Sequence, residues 1–313
     1  MERSALFQKQ RGIRTTMEAR LAIGDRRLGF FPWIGAKVNR YRWLPILPVL
    51  IYLLFFFVIP LSRALYGSFW DPDFSLKHYS HFFTRPVYVK VVLNSFRIAV
   101  SVTFFSLVLG YPYAYLLSGL RERTANKLLI FVVLPFWVSL LVRNYAWMVL
   151  LGRNGVFNSV LMGIGFIDRP VKLIYNSTGV NIGMVHIMLP YMILSLYAVM
   201  RGIDRSLLKA AQSLGANPFR TFLRIFLPLS LPGVGGGCLM VFIMAIGFFI
   251  TPALLGGPRD TMIAQLIEQH VTLLLNWGFA FAAAFILLMF TIVVLLVYNR
   301  YLGLDRLWGG IED

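Results

Sequence analysis

Ile203-Asp204-Arg205-Ser206-Leu207-Leu208-Lys209-Ala210-Ala211-Gln212-Ser213-Leu214-Gly215-Ala216-Asn217-Pro218-Phe219-Arg220-Thr221-Phe222-Leu223-Arg224-Ile225-Phe226-Leu227-Pro228 lies between two long apolar runs. It reads as a helix, a tight turn and a second helix. Asp204 is placed to cap the first helix, and Gly215 suits the left-handed position just past its end. Asn217 followed by Pro218 is an N-cap with proline at the first helical position. Leu207, Leu208, Ala211 and Leu214 recur at helical spacing and form one apolar face. Ala210-Ala211 removes bulk, so another surface can approach the backbone closely. The stretch predicts a short amphipathic helix held at a membrane face, the shape of a docking knob. A generic surface helix would show the same periodicity.

The flanking runs fix the rest. A bilayer core needs about 20 apolar residues per helix, and six spans meet that length: about 44–65, 92–117, 128–151, 180–200, 225–255 and 278–301. Pro112, Pro135 and Pro190 fall in or near them, where neighbouring helices must satisfy the freed carbonyls. Of 313 residues 58% are hydrophobic and 14% charged, against roughly 25% charged in soluble chains. One polytopic bundle uses this length better than two soluble domains. The single Cys238 sits in an apolar run, so there is no disulfide framework. The first 43 residues lack the apolar core of a cleavable signal, and the first span is expected to act as an uncleaved anchor.

The net charge of +17 is mostly a topology signal. With the N-terminus inside, segments 1–43, 118–127, 201–224 and 302–313 hold 10, 3, 5 and 1 basic residues, whereas 66–91, 152–179 and 256–277 hold 3, 3 and 1. Lys and Arg collect in loops that stay in the cytoplasm, so both termini are expected there. This distribution opposes a nucleic-acid role. Trp33, Trp43, Trp70, Trp277 and Trp308 lie near the expected interfaces. The tail 1–43 reads as a solvated basic segment, with a membrane-surface helix around Leu28–Ile34 as the alternative.

The spans contain no Asp or Glu, whereas ion-coupled carriers usually bind their driving ion near the midplane through such a group. A G-x-x-x-x-G-K-[ST] loop is absent from the sequence, so this chain cannot cradle nucleotide phosphates in that way. His78, His81, His186 and His270 show no metal-ligand spacing, and no metal or other cofactor is expected on this chain. His78 and His81 read as a surface pair, and His186 as an interhelical hydrogen bonder. Arg143 is the intramembrane charge singled out, either snorkelling to an interface or lining a substrate path. With Trp137, Tyr145, Trp147, Thr251 and Pro252 it makes the candidate path or gate. Thr251-Pro252 and Gly256-Gly257-Pro258 are expected to break the fifth span at its outer end. Gly233, Gly235, Gly236 and Gly237 permit close helix crossing there, or a hinge.

The opening stretch also carries a fixed spacing: Ala210-Ala211, three residues, Gly215, nine residues, then Ile225-x-Leu227-Pro228. This resembles the EAA loop of binding-protein-dependent ABC importer permeases, matching it in register except that Lys209 replaces the family's Glu. In the family that acid anchors the loop in a cleft of the ATP-binding subunit. Lysine reverses its sign, so the partner's surface differs or Asp204 contributes. Leu134–Arg143 and Phe249–Gly257 are similar to the polyamine branch, in particular to the first permease subunit of spermidine/putrescine systems, and the likeness spans about 44–303. The resemblance implies an all-α, six-helix type I importer transmembrane domain with a cytoplasmic coupling helix, flanked by tails 1–43 and 304–313. It implies a bacterial inner-membrane location and three kinds of partner: an ATP-binding subunit in two copies carrying ATP and Mg, a second homologous permease, and a periplasmic solute-binding protein. The expected solute is polyamine-like, or a related opine or phosphonate. Asp204, Lys209, Ala210, Ala211, Gly215, Ile225, Leu227 and Pro228 would form the ATPase-docking loop. The alternatives are a stand-alone secondary transporter or channel, and a membrane enzyme, for which no convergent catalytic set is present.

Overall fold

Backbone N–H and C=O groups find no water inside a bilayer, so an apolar run of spanning length satisfies them by coiling into helix. The computed structural model describes residues 46–70 and 73–302. The basic tail, its Leu28–Ile34 alternative, Trp33, Trp43, Trp308 and the segment 304–313 lie outside the described residues. Compact units divide at Arg63/Ala64. In the first, described residues 46–63 are all exposed and all but Ile46 belong to helix α1 (Leu47–Phe69), an apolar surface of the kind hydrocarbon covers.

The second unit continues through α2 (Lys77–Thr84), α3 (Pro86–Gly119), α4 (Glu122–Trp137), α5 (Leu140–Leu151), α6 (Val156–Gly163) and α7 (Ser177–Gly202). Then follow α8 (Arg205–Ser213), α9 (Pro218–Ile246), α10 (Ile250–Leu255), α11 (Ile263–Thr272) and α12 (Trp277–Leu302). Among the described residues α1, α3, α7, α9 and α12 are long and apolar enough to cross a membrane; α4 with α5–α6 makes a sixth candidate, bent by 95°.

That bend falls inside the expected third span, 128–151, which is not one continuous helix. The chain tightens into a 3₁₀ turn at Leu134–Trp137, runs extended through Val138 and Ser139, and restarts at Leu140. Pro135 has no N–H to offer the preceding turn, which favours the tightening. The fifth span is likewise not one helix over 225–255. It ends at Ile246, and the break covers Gly247–Phe249, upstream of the expected Thr251-Pro252. Pro252 falls in the first turn of α10, where a missing donor costs nothing, so the interruption lies before it.

The core is built by α3, α7 and α9. Ala99 and Val102 of α3, Met184, Met188, Met192 and Leu196 of α7, and Val241 and Ala245 of α9 are fully buried. Met192 is wedged between two glycines: a Cβ on Gly110 would lie 3.0 Å from its Cγ, and one on Gly237 2.8 Å from its sulfur. A Cβ on Gly233 would meet Val199 at 2.9 Å, and one on Gly235 the Tyr298 hydroxyl at 2.8 Å. The glycine run therefore serves close crossing of α9 with α7 and α12, and α9 stays helical through it.

Candidate functional site

Two features stand out: an elbow between α7 and α9, and a cavity between α3, α5 and α7. At the elbow, Asp204 Oδ1 accepts from the Ser206 N–H at 2.8 Å and Oδ2 from the Ser206 hydroxyl at 2.6 Å, giving α8 its cap. The hydroxyl, and after it the N–H, hold the Asp204 carboxyl below the usual carboxylate range. Gly215 closes the helix at φ +88°, and Asn217 Oδ1 accepts from the Arg220 N–H at 2.7 Å to start α9.

Leu208 packs inward against the core, whereas Leu207 and Leu214 stay exposed, the latter by 88%. Lys209, Ala210 and Gly215 are exposed and Ala211 half-buried, so the small residues lie open beside the apolar ones. Ile225 and Leu227 are half-buried and Pro228 exposed, at the start of α9.

The elbow is fastened to α3. Arg201 donates to the Leu120 carbonyl at 2.8 Å, and Arg205 to the Ser118 hydroxyl at 3.2 Å, placing two cations at the C-terminal end of α3. Tyr115 meets Phe226 edge-on at 4.8 Å between ring centroids, and the Tyr111 hydroxyl lies 2.9 Å from Ser230 Oγ. The sequence reading used Arg201 and Arg205 only as charge-topology markers and missed this clamp.

The cavity, of about 670 Å³, runs along α3 and α7. Arg97, Ser101, Thr178 and Asn181 line one end; Phe105, Leu109, Val185 and Leu189 line the other. Trp147 of α5 enters its side and donates Nε1–H to His186 Nδ1 at 3.2 Å, the interhelical bond expected of that histidine. Ser101 Oγ lies 2.5 Å from Asn181 Oδ1, and Asn181 donates to the Ser177 carbonyl at 2.7 Å. Ser177, at the rim, donates its hydroxyl to Asp260 in the loop before α11, and the other Asp260 oxygen accepts from Gly257 N–H at 3.0 Å. Asn94 and Ser95 of α3 hold the same loop, through the Thr261 carbonyl at 3.1 Å and the Ile263 N–H at 2.8 Å.

The remaining path candidates scatter. Trp137 is 80% exposed at the bend, and Tyr145 is exposed on α5. Thr251 and Pro252 are buried in α10; a Cβ on Gly183 of α7 would meet the Thr251 methyl at 2.9 Å, so they pack behind α7 and do not line the cavity. Arg143 is half-buried, one turn before Trp147, with Nε and one Nη buried and unpaired among the described residues. His78 is buried and not on the surface as expected; His81 stays exposed beside Tyr88. Arg97 was overlooked although it lies within the expected second span, where the charge itself was the available signal.

The family model described as "Binding-protein-dependent transport system inner membrane component" matches residues 38–302. The spermidine/putrescine transport system permease protein PotB of Haemophilus influenzae is 34% identical over 270 residues, covering 84% of this chain and 94% of that protein. PotB of Escherichia coli is 36% identical over 234 residues, covering 75% and 85%. Among solved structures, a bacterial alginate ABC transporter in complex with its alginate pentasaccharide-bound periplasmic protein aligns with a TM-score of 0.70 at 19% identity, covering 86% of this chain and 96% of that one. The inward-facing MetNI methionine ABC transporter aligns with a TM-score of 0.52 at 17% identity, covering 68% and 94%. These structural likenesses speak for the fold.

Proposed function

The chain belongs to the binding-protein-dependent transport system inner membrane component family, and on that premise we propose that it is the permease subunit of an ATP-driven importer of a small organic solute. A periplasmic binding protein delivers the solute, a second homologous permease completes the pathway, and two ATP-binding subunits carry ATP and Mg. The relatives named for spermidine and putrescine place polyamines among the solutes to consider, with opines and phosphonates beside them. Both termini and α8 face the cytoplasm, in keeping with the Lys and Arg bias of the loops.

The observation that carries the mechanism is the exposed face of α8, capped at one end, closed by Gly215 at the other and joined to α9 by a four-residue link. Leu207, Leu214, Ala210 and Ala211 dock in a cleft of the ATP-binding subunit. Lys209 meets an acidic group there, in place of the basic one that the family's Glu would favour. When the ATP-binding subunits close, α8 moves. The Arg201 and Arg205 bonds and the Tyr111, Tyr115 and Phe226 contacts carry that movement into α3, α7 and α9 together. The solute path then opens to alternate sides.

The test is uptake in proteoliposomes containing the complete importer. Ala211→Asp puts a charge on the docking face and is expected to abolish ATP-dependent uptake while the chain still inserts. The chain alone is expected to accumulate nothing. Normal uptake by Ala211→Asp, or accumulation by the lone chain, refutes the reading.

A further inference from the structure

Arg97 lies five residues into the expected second span, about 8 Å along α3 from Val92. No hydrogen bond or ion pair joins it to another described residue. An unpaired guanidinium at membrane depth is costly unless water or an anion reaches it. The cavity beside it supplies that access.

Acceptors are scarce around it. No carboxylate lines the cavity, and α3, α5 and α7 contain none. Asp260, which bonds Ser177 at the cavity rim, is 7% exposed and has one oxygen on Ser177 and the other on Gly257. The Asn181 carbonyl faces Ser101, and His186 Nδ1 is occupied by Trp147, which leaves the His186 Nε2 as a donor. The groups left to meet a solute are Arg97, His186 Nε2–H and the Thr178 hydroxyl. From Arg97 to Leu109, about 18 Å along the helix, the lining changes from polar to apolar.

We infer that this cavity binds a small organic solute by an acid group, a carboxylate or phosphonate, held by Arg97, with the solute's aliphatic part against Phe105, Val185 and Leu189. The inference rests on the importer reading and narrows its solute. Arginine's planar fork suits bidentate pairing with either acid. A polyamine brings only cationic ends to a site whose fixed charge is positive. A lipid headgroup offers the same acid chemistry as a solute, so the test separates the two.

The full chain is purified in maltoside free of phospholipid and titrated with three probes of similar length: putrescine, 4-aminobutyrate and 3-aminopropylphosphonate. Binding is read by calorimetry and by tryptophan fluorescence. Both acids are expected to bind and putrescine to fail. Arg97→Gln is expected to weaken the acids at least tenfold, and Arg97→Lys to weaken them less. Phe105→Ala strips an apolar wall about 12 Å along the helix from Arg97 and is expected to weaken 4-aminobutyrate without altering charge. Arg97 and Phe105 are exposed, so these variants are expected to fold, which helical content and elution volume check.

The inference is overturned if putrescine binds as tightly as the acids, if Arg97→Gln binds the acids unchanged, if Phe105→Ala binds 4-aminobutyrate as the parent chain does, or if no probe binds. Displacement of both acids by phosphatidylglycerol at a few mole per cent assigns the cavity to lipid and also overturns it. None of these results touches ATP-dependent uptake by the complete importer, which tests the parent reading separately.

Discussion

One methyl group at Gly233 is expected to force α7 and α9 apart. The Cβ of Gly233→Ala would lie 2.9 Å from Val199 Cβ, 3.2 Å from Val199 Cγ2 and 3.4 Å from Leu196 Cα. Carbon atoms pack best at about 3.5–4.0 Å, so the helices must separate by roughly 0.6–1 Å. No rotamer relieves the shortest contact, because a Cβ moves only with its backbone. Overpacking of this size costs about 1–3 kcal/mol. The assay is reversible unfolding of the purified chain by SDS titration in mixed micelles, run as a double-mutant cycle. Val199→Gly removes the opposing Cβ and is expected to recover about 1 kcal/mol or more as coupling energy. Val199→Ala keeps that Cβ and is expected to recover much less. Equal rescue by both, or a neutral Gly233→Ala, refutes the packing argument and returns the glycine run to a hinge.

Two further expectations concern protonation. The Asp204 carboxylate has its folded pKa lowered by Ser206, so its cap is fully present above the unfolded value of about 3.9 and is lost as pH falls through the folded value. Hydrogen exchange in α8 is therefore expected to be insensitive to the cap between pH 5 and 8 once intrinsic rates are corrected, and Asp204→Ala to speed it throughout that range; equal protection in the variant contradicts the capping role. In α11, burial and then the nearby His81 push the His270 imidazole below its ordinary value. Its contribution to stability is complete above about 6.5 and declines as pH falls from there, because the unfolded chain takes up the proton first. Melting temperatures at pH 8, 6.5 and 5 are expected to fall less in His270→Asn than in the parent chain, and parallel curves would contradict this.

The elbow was legible because its signals are local. Asp204, Gly215, Asn217 and Pro218 each act on a backbone group within three residues, and the structure places caps and turn where those residues sit. Long helices such as α3 and α7 were legible for a similar reason, since their apolar length leaves the backbone no other arrangement. The 95° bend was not. Leu134-Pro135-Phe136-Trp137-Val138 is apolar on both sides of the break, and hydropathy records what a segment buries without recording which way its axis points. The cavity was hidden for another reason. Arg97, Trp147 and His186 come from three helices and meet only after α3 and α7 have packed, so no spacing along the chain announces them. Thr251 and Pro252 pack against α7 away from the cavity, a placement that depends on the turn of the chain before α10 and that no local spacing announces.

The ends of α7 are held by different neighbours. Arg201 grips the final carbonyls of α3, and Ser177, 24 positions earlier, grips Asp260 in the loop before α11. At 1.5 Å per residue the two anchor points are about 36 Å apart on one rod, and a tilt of about 5° pivoting at one of them sweeps the other through roughly 3 Å. That sweep matches the length of a hydrogen bond. A rocking stroke of that size is enough to break the hydrogen bond from Ser177 to Asp260, so a small tilt at the Arg201 end is felt as a released contact at the other.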